Sequence, residues 1–394
     1  MQSHYQKLIM FLIILSPQFL PEVGHTQSVS KIDGVIYSDY YYNLKNSVAS
    51  EKDRNAFQYR RIYFTFENNI TSAIKFRFRL ESESNSYGST AKINPFVKHA
   101  FLEWGKLIPQ HTLQFGITET NAFKNSEEYW GYRSIEKTIM DLNKISSSAD
   151  FGVALKGDLF GNKLHHWLTV MNGTGYGAAE GDRYKKVGYS LWLTPIPGLI
   201  LEGYGDYENQ GASDIQTATP LSTAKDYTLA SSYYTVKSFV GYSQPKYTVG
   251  VDVFQRVNSG SGLKNIVTQQ DNLTNKYKII SSEQADVTRF GYSIFASAIT
   301  PINGLKVFAR YDYFDNNTGN SVFTKFDESK GTLTSGKDDE TTMIFAGLDY
   351  IPVGNIHIMP NVIVKNYAKS GLDSDVTLRL TLYCKYDSGK ISVE

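Results

Sequence analysis

The chain has 394 residues with a formal net charge of +1, so it offers no broad basic field for a nucleic acid, and no DNA- or RNA-binding signature is present. With 31 Gly, 11 Pro, 28 Tyr, 22 Phe and a mean hydropathy of -0.32 it is not a bundle of membrane helices. Its single cysteine, Cys384, excludes an intrachain disulfide and a cysteine-built zinc site.

At the N-terminus Lys7 precedes the apolar run Leu8–Leu15, followed by Pro17, Pro21, Gly24 and Thr26. A charged start, a short apolar core and small residues near a cut site read as a secretory signal peptide over about residues 1–26. The run is too short to span a bilayer as a helix. The remainder, 27–394, reads as one domain, because no linker or low-complexity stretch interrupts it.

Alternating segments then recur to the end of the chain. They cover Ile32–Tyr42, Phe57–Glu67, Ile74–Glu81, Phe96–Gly105, Thr112–Thr118, Phe151–Asp158, Leu164–Met171 and Lys186–Thr194 in the first half. Leu199–Tyr207, Tyr227–Ser243, Tyr247–Val257, Thr288–Thr300, Leu305–Phe314, Thr341–Ile351, Ile356–Tyr367 and Asp375–Tyr386 follow. Most approach the roughly 10 residues that a tilted membrane strand needs. In Ile74–Glu81 the apolar Ile74, Phe76, Phe78 and Leu80 alternate with Lys75, Arg77, Arg79 and Glu81, so a strand there has one oily and one charged face.

The connections separate a membrane barrel from a soluble sheet. Every second one is short and rich in turn formers, such as Ile108-Pro109, Phe160-Gly161-Asn162, Pro195-Ile196-Pro197-Gly198 and Pro301-Ile302-Asn303-Gly304. The others are long and polar: 43–56, 82–95, 119–150, 172–185, 208–226, 258–287, 315–340 and 368–374. A soluble periplasmic β protein has no need for that asymmetry. An all-β, single transmembrane antiparallel up-and-down β-barrel of about 16 strands, with short periplasmic turns and long extracellular loops, requires it. Charges keep to one parity, as expected when Arg or Lys on the lipid face costs about 2–4 kcal/mol. Tyr40 to Tyr42, Tyr311, Tyr313, Tyr350 and Tyr386 near strand ends suit an aromatic girdle.

A barrel of this size is wide enough for a water-filled channel, and its selectivity then depends on the narrowest point. The connection 119–150 is the candidate constriction loop. Folded inward, it presents Tyr132, Arg133, Glu136 and Lys137 to solutes. Arg61, Lys75, Arg77, Arg79, Arg310 and Arg379 fall on the inward parity of neighbouring strands, and basic rings favour anions. Glu67, Glu81, Glu103 and Asp312 share that parity, so the expected preference for anions is weak.

The seven histidines form no Ser-His-acid set, and none is expected to catalyse a reaction. His165-His166 are adjacent on a strand and point to opposite faces, which makes joint metal ligation awkward; no metal and no cofactor are expected. Asp338-Asp339-Glu340 and the Asp315–Asn320 loop lack EF-hand spacing and read as solvated outer loops, in reach of divalent ions on lipopolysaccharide.

The strand and loop plan, with Tyr129-Trp130-Gly131-Tyr132-Arg133-Ser134-Ile135-Glu136-Lys137, Trp167-Leu168-Thr169-Val170-Met171-Asn172-Gly173 and Ala309-Arg310-Tyr311-Asp312-Tyr313-Phe314-Asp315, resembles the phosphate-selective porin O and P family. That resemblance implies a sixteen-stranded, trimeric, passive channel of the Gram-negative outer membrane, with a constriction loop and an inward basic ladder. It does not extend to the family's phosphate ligands residue by residue. The expected partners are outer-membrane lipid and lipopolysaccharide, small hydrophilic or anionic solutes, and two further copies of the chain. The rival expectation is a structural or adhesive barrel with a closed lumen and partner-binding loops.

Overall fold

The computed structural model describes residues 28–83, 93–214, 228–319, 322–327, 329–330, 332–335, 339–389 and 391–393. The signal peptide expected at 1–26 lies outside them, as do Asn320 and Asp338 of the two acidic outer loops. Sixteen strands form the wall. In chain order the first half holds β1 (Ser28–Lys45), β2 (Asn55–Asn69), β3 (Ile74–Glu83), β4 (Phe96–Gly105), β5 (His111–Glu119), β6 (Ala149–Leu159), β7 (Leu164–Met171) and β8 (Lys186–Leu193). The second half holds β9 (Leu199–Asp214), β10 (Thr228–Gln244), β11 (Tyr247–Gln270), β12 (Tyr277–Ile299), β13 (Leu305–Asp315), β16 (Thr341–Val353), β17 (Ile356–Tyr367) and β18 (Asp375–Asp387). Each wall strand pairs antiparallel with the next, and β1 pairs with both β2 and β18, Tyr37 lying opposite Arg61 on one side and Tyr383 on the other. The sheet therefore closes on itself and has no free edge to manage.

Period-two burial runs through the wall. In β11, Val249, Val251 and Val253 are exposed while the alternate positions Gly250, Asp252 and Phe254 are buried. In the opening pattern of β3, Phe76 packs on Phe66 of β2 on the outside, and Arg79 reaches inward to the Thr65 hydroxyl at 2.7 Å. Leu378, Leu380 and Leu382 of β18 likewise face out. An outer surface this apolar is stable only against lipid. The aromatic band includes Tyr292, Tyr311 and Tyr313, with Tyr292 stacked on Tyr313 at 5.4 Å. Tyr41 departs from that expected band: strand alternation turns it to the inner face, opposite Arg379, while Tyr40 and Tyr42 stay outside.

Several of the expected loops carry regular structure. Residues 258–287 continue as a ribbon of β11 and β12 beyond the apolar girdle, with register shifts near Asn258 and Gly262. At its base Leu263 and Val287 are buried with Val322, and Leu263 pairs with Phe323 of the following connection, while further out Lys264, Val267 and Ile280 are exposed. The connection after β13 contains a small hairpin of β14 (Phe323–Asp327) and β15 (Thr332–Ser335). A short β19 (Ile391–Val393) pairs with the first residues of β1.

Candidate functional site

Residues 120–148 leave the wall after β5 and lie against the inner surface of the barrel. Helix α1 (Lys124–Trp130) ends at Gly131, whose φ of 68° is the left-handed stop that glycine adopts without strain. A second turn, α2 (Ile139–Leu142), follows. Residues 131–137, which carry Tyr132, Arg133, Glu136 and Lys137, connect the two.

Apolar contact seats this segment on one half of the wall. Trp130, Tyr132 and Ile135 join Ile200 of β9, Phe239 of β10, Phe295 of β12, Phe308 of β13, Phe345 of β16 and Met359 and Ile363 of β17 in one buried cluster. Phe123, Ile139, Met140 and Ile145 join Tyr204, Phe254 and Phe314 in a second. Glycines opposite the wall aromatics make room for them. A Cβ on Gly347, which is paired with Phe308, would stand 2.7 Å from that ring's Cζ.

Wall cations tie down the segment's carbonyls. Lys237 Nζ donates to the Ala122 carbonyl at 3.0 Å and to Glu202 at 2.9 Å, and Arg310 Nη1 donates to the Lys137 carbonyl at 2.6 Å. Arg60 donates to the carbonyls of Ser134 and Ile135, and Arg256 to that of Ile145. Within the segment, Trp130 Nε1 donates to the Glu136 carbonyl at 2.9 Å. Buried backbone acceptors of an irregular segment need such donors, because no ladder supplies them.

The residues singled out from the sequence take three different places. Tyr132 is 8% exposed and stacked on Phe308 with centroids 4.4 Å apart, so it anchors the segment and leaves only its edge to a cavity. Arg310 is 2% exposed, pairs with Asp312, and lies between Trp130 and Phe345. Arg61 is buried against Glu81, Glu83 and the Tyr63 hydroxyl. Lys75 meets Glu103 at 3.3 Å and Arg77 meets Glu67 at 3.3 Å. Glu136 meets Arg60 at 3.2 Å, and Lys137 borders the cavity on the long-loop side. Arg79 bonds the Thr65 hydroxyl and faces the Tyr63 ring at 5.3 Å. Nε and Nη1 of Arg379 are buried with no hydrogen-bond partner among the described residues.

Arg133 pairs with Glu127 and, at 2.9 Å, with Asp141. Burial alone would lower its pKa, but Glu127, Tyr63 and Asp141 outweigh that and hold the guanidinium well above its ordinary value. Burial would raise the Glu136 carboxyl; Arg60 and Arg379, with the Lys137 N–H, pull it below its ordinary value instead. Both groups are charged at neutral pH.

Three cavities adjoin along the barrel. On the long-loop side one of about 410 Å³ is bordered by Lys137, Lys144, Ser148, Tyr176, Lys186 and Arg256, among others. It shares Ser148 with a middle cavity of about 160 Å³ between the segment and the β1–β5 wall. The middle cavity shares Tyr37 and Arg133 with a third, of about 360 Å³, which reaches Lys306 and His357 near the short turns. The smallest is lined by four cations, Arg79, Lys98, Lys124 and Arg133, against two carboxylates, Glu119 and Glu127. Parity reasoning missed Lys98, Lys124 and the entire apolar seat. Phe239, Phe254 and Phe308 sit at the inward positions of their strands, where an aromatic among charges was the readable signal.

No family model and no curated protein matches the chain. Solved structures do. The outer membrane channel DcaP of Acinetobacter baumannii is 12% identical, with a TM-score of 0.58 over 92% of this chain and 98% of that one. The anion-selective porin from Comamonas acidovorans is 12% identical, with a TM-score of 0.57 over 91% and 100%. OmpT of Vibrio cholerae is 9% identical, with a TM-score of 0.57 over 92% and 99%. At such identities the likeness is one of fold, a closed sixteen-strand barrel of the outer-membrane type. It does not select the phosphate-selective family.

Proposed function

We propose that the chain is a passive porin of the Gram-negative outer membrane, which lets small hydrophilic solutes diffuse through without covalent change. The observation that carries this reading is the series of three cavities inside the barrel that share lining residues, from Tyr176 and Asp182 among the long connections to Lys306 and His357 near the short turns. Segment 120–148 is the constriction, and the middle cavity beside it, of about 160 Å³, is the smallest of the three.

Anions are weakly favoured there. Arg79 lines the small cavity with no carboxylate ion pair among the described residues, while Lys98, Lys124 and Arg133 there are offset by Glu81, Glu128 and Asp141, and an unoffset cation at a narrow point lowers the entry cost of anions. Arg79 and Arg133 are its pore-facing cations. Arg61 and Arg310 act structurally, the first by neutralising Glu81 and the second by holding the segment. Arg379, with two unpartnered nitrogens, adds positive potential beside Glu136. Lipid and lipopolysaccharide cover the apolar outer wall, and the assembly is a homotrimer.

Conductance in a planar bilayer tests the reading. Ohmic single-channel current with a reversal potential of anion sign in a salt gradient is expected. Folded protein that passes no current would instead fit a closed adhesive barrel, and a cation-sign potential would remove the anion preference while leaving the channel.

A further inference from the structure

Two imidazoles 55 residues apart in sequence meet on the outer face of the wall. His111 opens β5 and His166 lies in β7, and each is in register with Gly157 of β6, the strand between them. Their Nε2 atoms are 3.0 Å apart, with ring centroids at 5.0 Å and planes at 58°. Glycine is required at the middle position: a Cβ on Gly157 would stand 2.5 Å from both Nε2 atoms. The neighbouring His165 points the other way, to Asp158 at 2.6 Å and onto Trp192, so the partner of His166 comes from two strands away.

The tautomer of His111 is set by its surroundings. Its Nδ1 is 2.7 Å from the Pro109 carbonyl oxygen, which only accepts, so Nδ1 carries the proton and Nε2 of the neutral ring carries a lone pair. An Nδ1–H held by a carbonyl is the usual support of a metal-bound imidazole. The 3.0 Å contact is then a hydrogen bond from His166 Nε2–H to His111 Nε2, and a metal takes its place when the His166 proton moves to Nδ1; two nitrogens bound to one ion at 2.0–2.1 Å and at right angles lie about 2.9 Å apart, close to that spacing.

We propose that His111 and His166 form a two-imidazole site for a borderline transition-metal dication on the outer wall, at the short-turn end. The site is independent of the interior path. Among the described residues no cluster of three or more metal-ligating side chains occurs, so water fills the other coordination positions. Affinity follows Cu²⁺ above Ni²⁺ and Zn²⁺, and the hard Mg²⁺ and Ca²⁺ do not compete.

Untagged protein purified from outer membranes, titrated with Cu²⁺ and examined by pulsed electron paramagnetic resonance, tests this. One Cu²⁺ per chain with two equatorial imidazoles is expected. His111→Gln and His166→Gln should each weaken binding by at least about 100-fold, since even outer-shell partners of a metal site are worth 10–100-fold. His165→Gln should leave it unchanged. Gly157→Ala keeps both ligands but forces the rings apart, and should weaken copper as well. A one-imidazole spectrum in the unaltered protein, no binding, or affinity that survives both His111→Gln and His166→Gln would overturn the site and reduce the pair to a hydrogen bond. Folding of each variant is read from heat-dependent gel mobility, and if His111→Gln or His166→Gln fails to fold, the imidazole count in the unaltered protein still decides.

Discussion

The two halves of the barrel interior are built on different chemistry. From β9 to β17 the inward positions carry Phe239, Phe254, Phe295, Phe308 and Phe345, and these bury the constriction segment. From β1 to β6, with β18, they carry Arg61, Arg77, Arg79, Lys98, Lys156 and Arg379 among carboxylates, and this half meets the segment through polar contacts, Arg60 with Glu136 at 3.2 Å among them, around the small cavity. One half fixes where the opening is, and the other sets its electrostatics. A pore whose loop were held by charges alone would have to spend those charges on the loop.

Alterations on each half should therefore separate the two roles. Trp130→Ala removes the largest anchor at a cost of about 3–5 kcal/mol. Its expected result is a larger single-channel conductance with frequent substates and little change in the sign of selectivity; an unchanged conductance would show that the segment does not limit flow. Gly347→Ala pushes on Phe308 and should cost about 1–3 kcal/mol through overpacking, read as an earlier thermal loss of the folded gel band.

On the charged half, Arg79→Gln should leave folding intact and move the reversal potential toward zero. A unit charge at 4 Å in water is worth about 1 kcal/mol, so the anion-to-cation ratio falls by up to about fivefold. Arg77→Gln should do less, because Glu67 at 3.3 Å already offsets Arg77. Equal effects of the two would break the distinction between paired and free cations.

The smallest effect is that of pH. The folded-state pKa of Glu136 is depressed, so its contribution is complete above the ordinary glutamate pKa of about 4.3 and is lost only as pH falls through the lower folded value. The Glu136 part of the response should therefore appear only below about pH 4 and be absent in Glu136→Gln, measured on one reconstituted channel.

The barrel was legible because period two and alternating loop length both record the membrane. Arg79 could be placed inward from Ile74–Glu81 alone. Its importance could not be read there, since that depends on whether a carboxylate lies opposite, and register decides this: Glu67 falls across from Arg77, and Thr65 across from Arg79. Parity also gave Arg310 a water-facing position, whereas Trp130 and Phe345 cover it, a tertiary arrangement that no local pattern contains. Lys98 and Lys124 escaped notice because each stands in a mixed stretch and gains significance only where the segment crosses the wall. The ribbon at 258–287 was hidden because its register shifts, near Asn258 and Lys264, break the alternation by which a strand is recognised.

The seating of the constriction segment also bears on how the molecule comes to exist. Ser134 touches Met359, 225 residues later in the chain. The segment is made long before most of its seat, so Trp130 and Ile135, whose cluster includes Phe345, Met359 and Ile363, stay partly uncovered until the last strands arrive. Such distant contacts form late in folding. The pore narrows as a product of completed closure, and an assembly stalled before β16 would be a wide, unregulated gap with an oily flap still looking for its place.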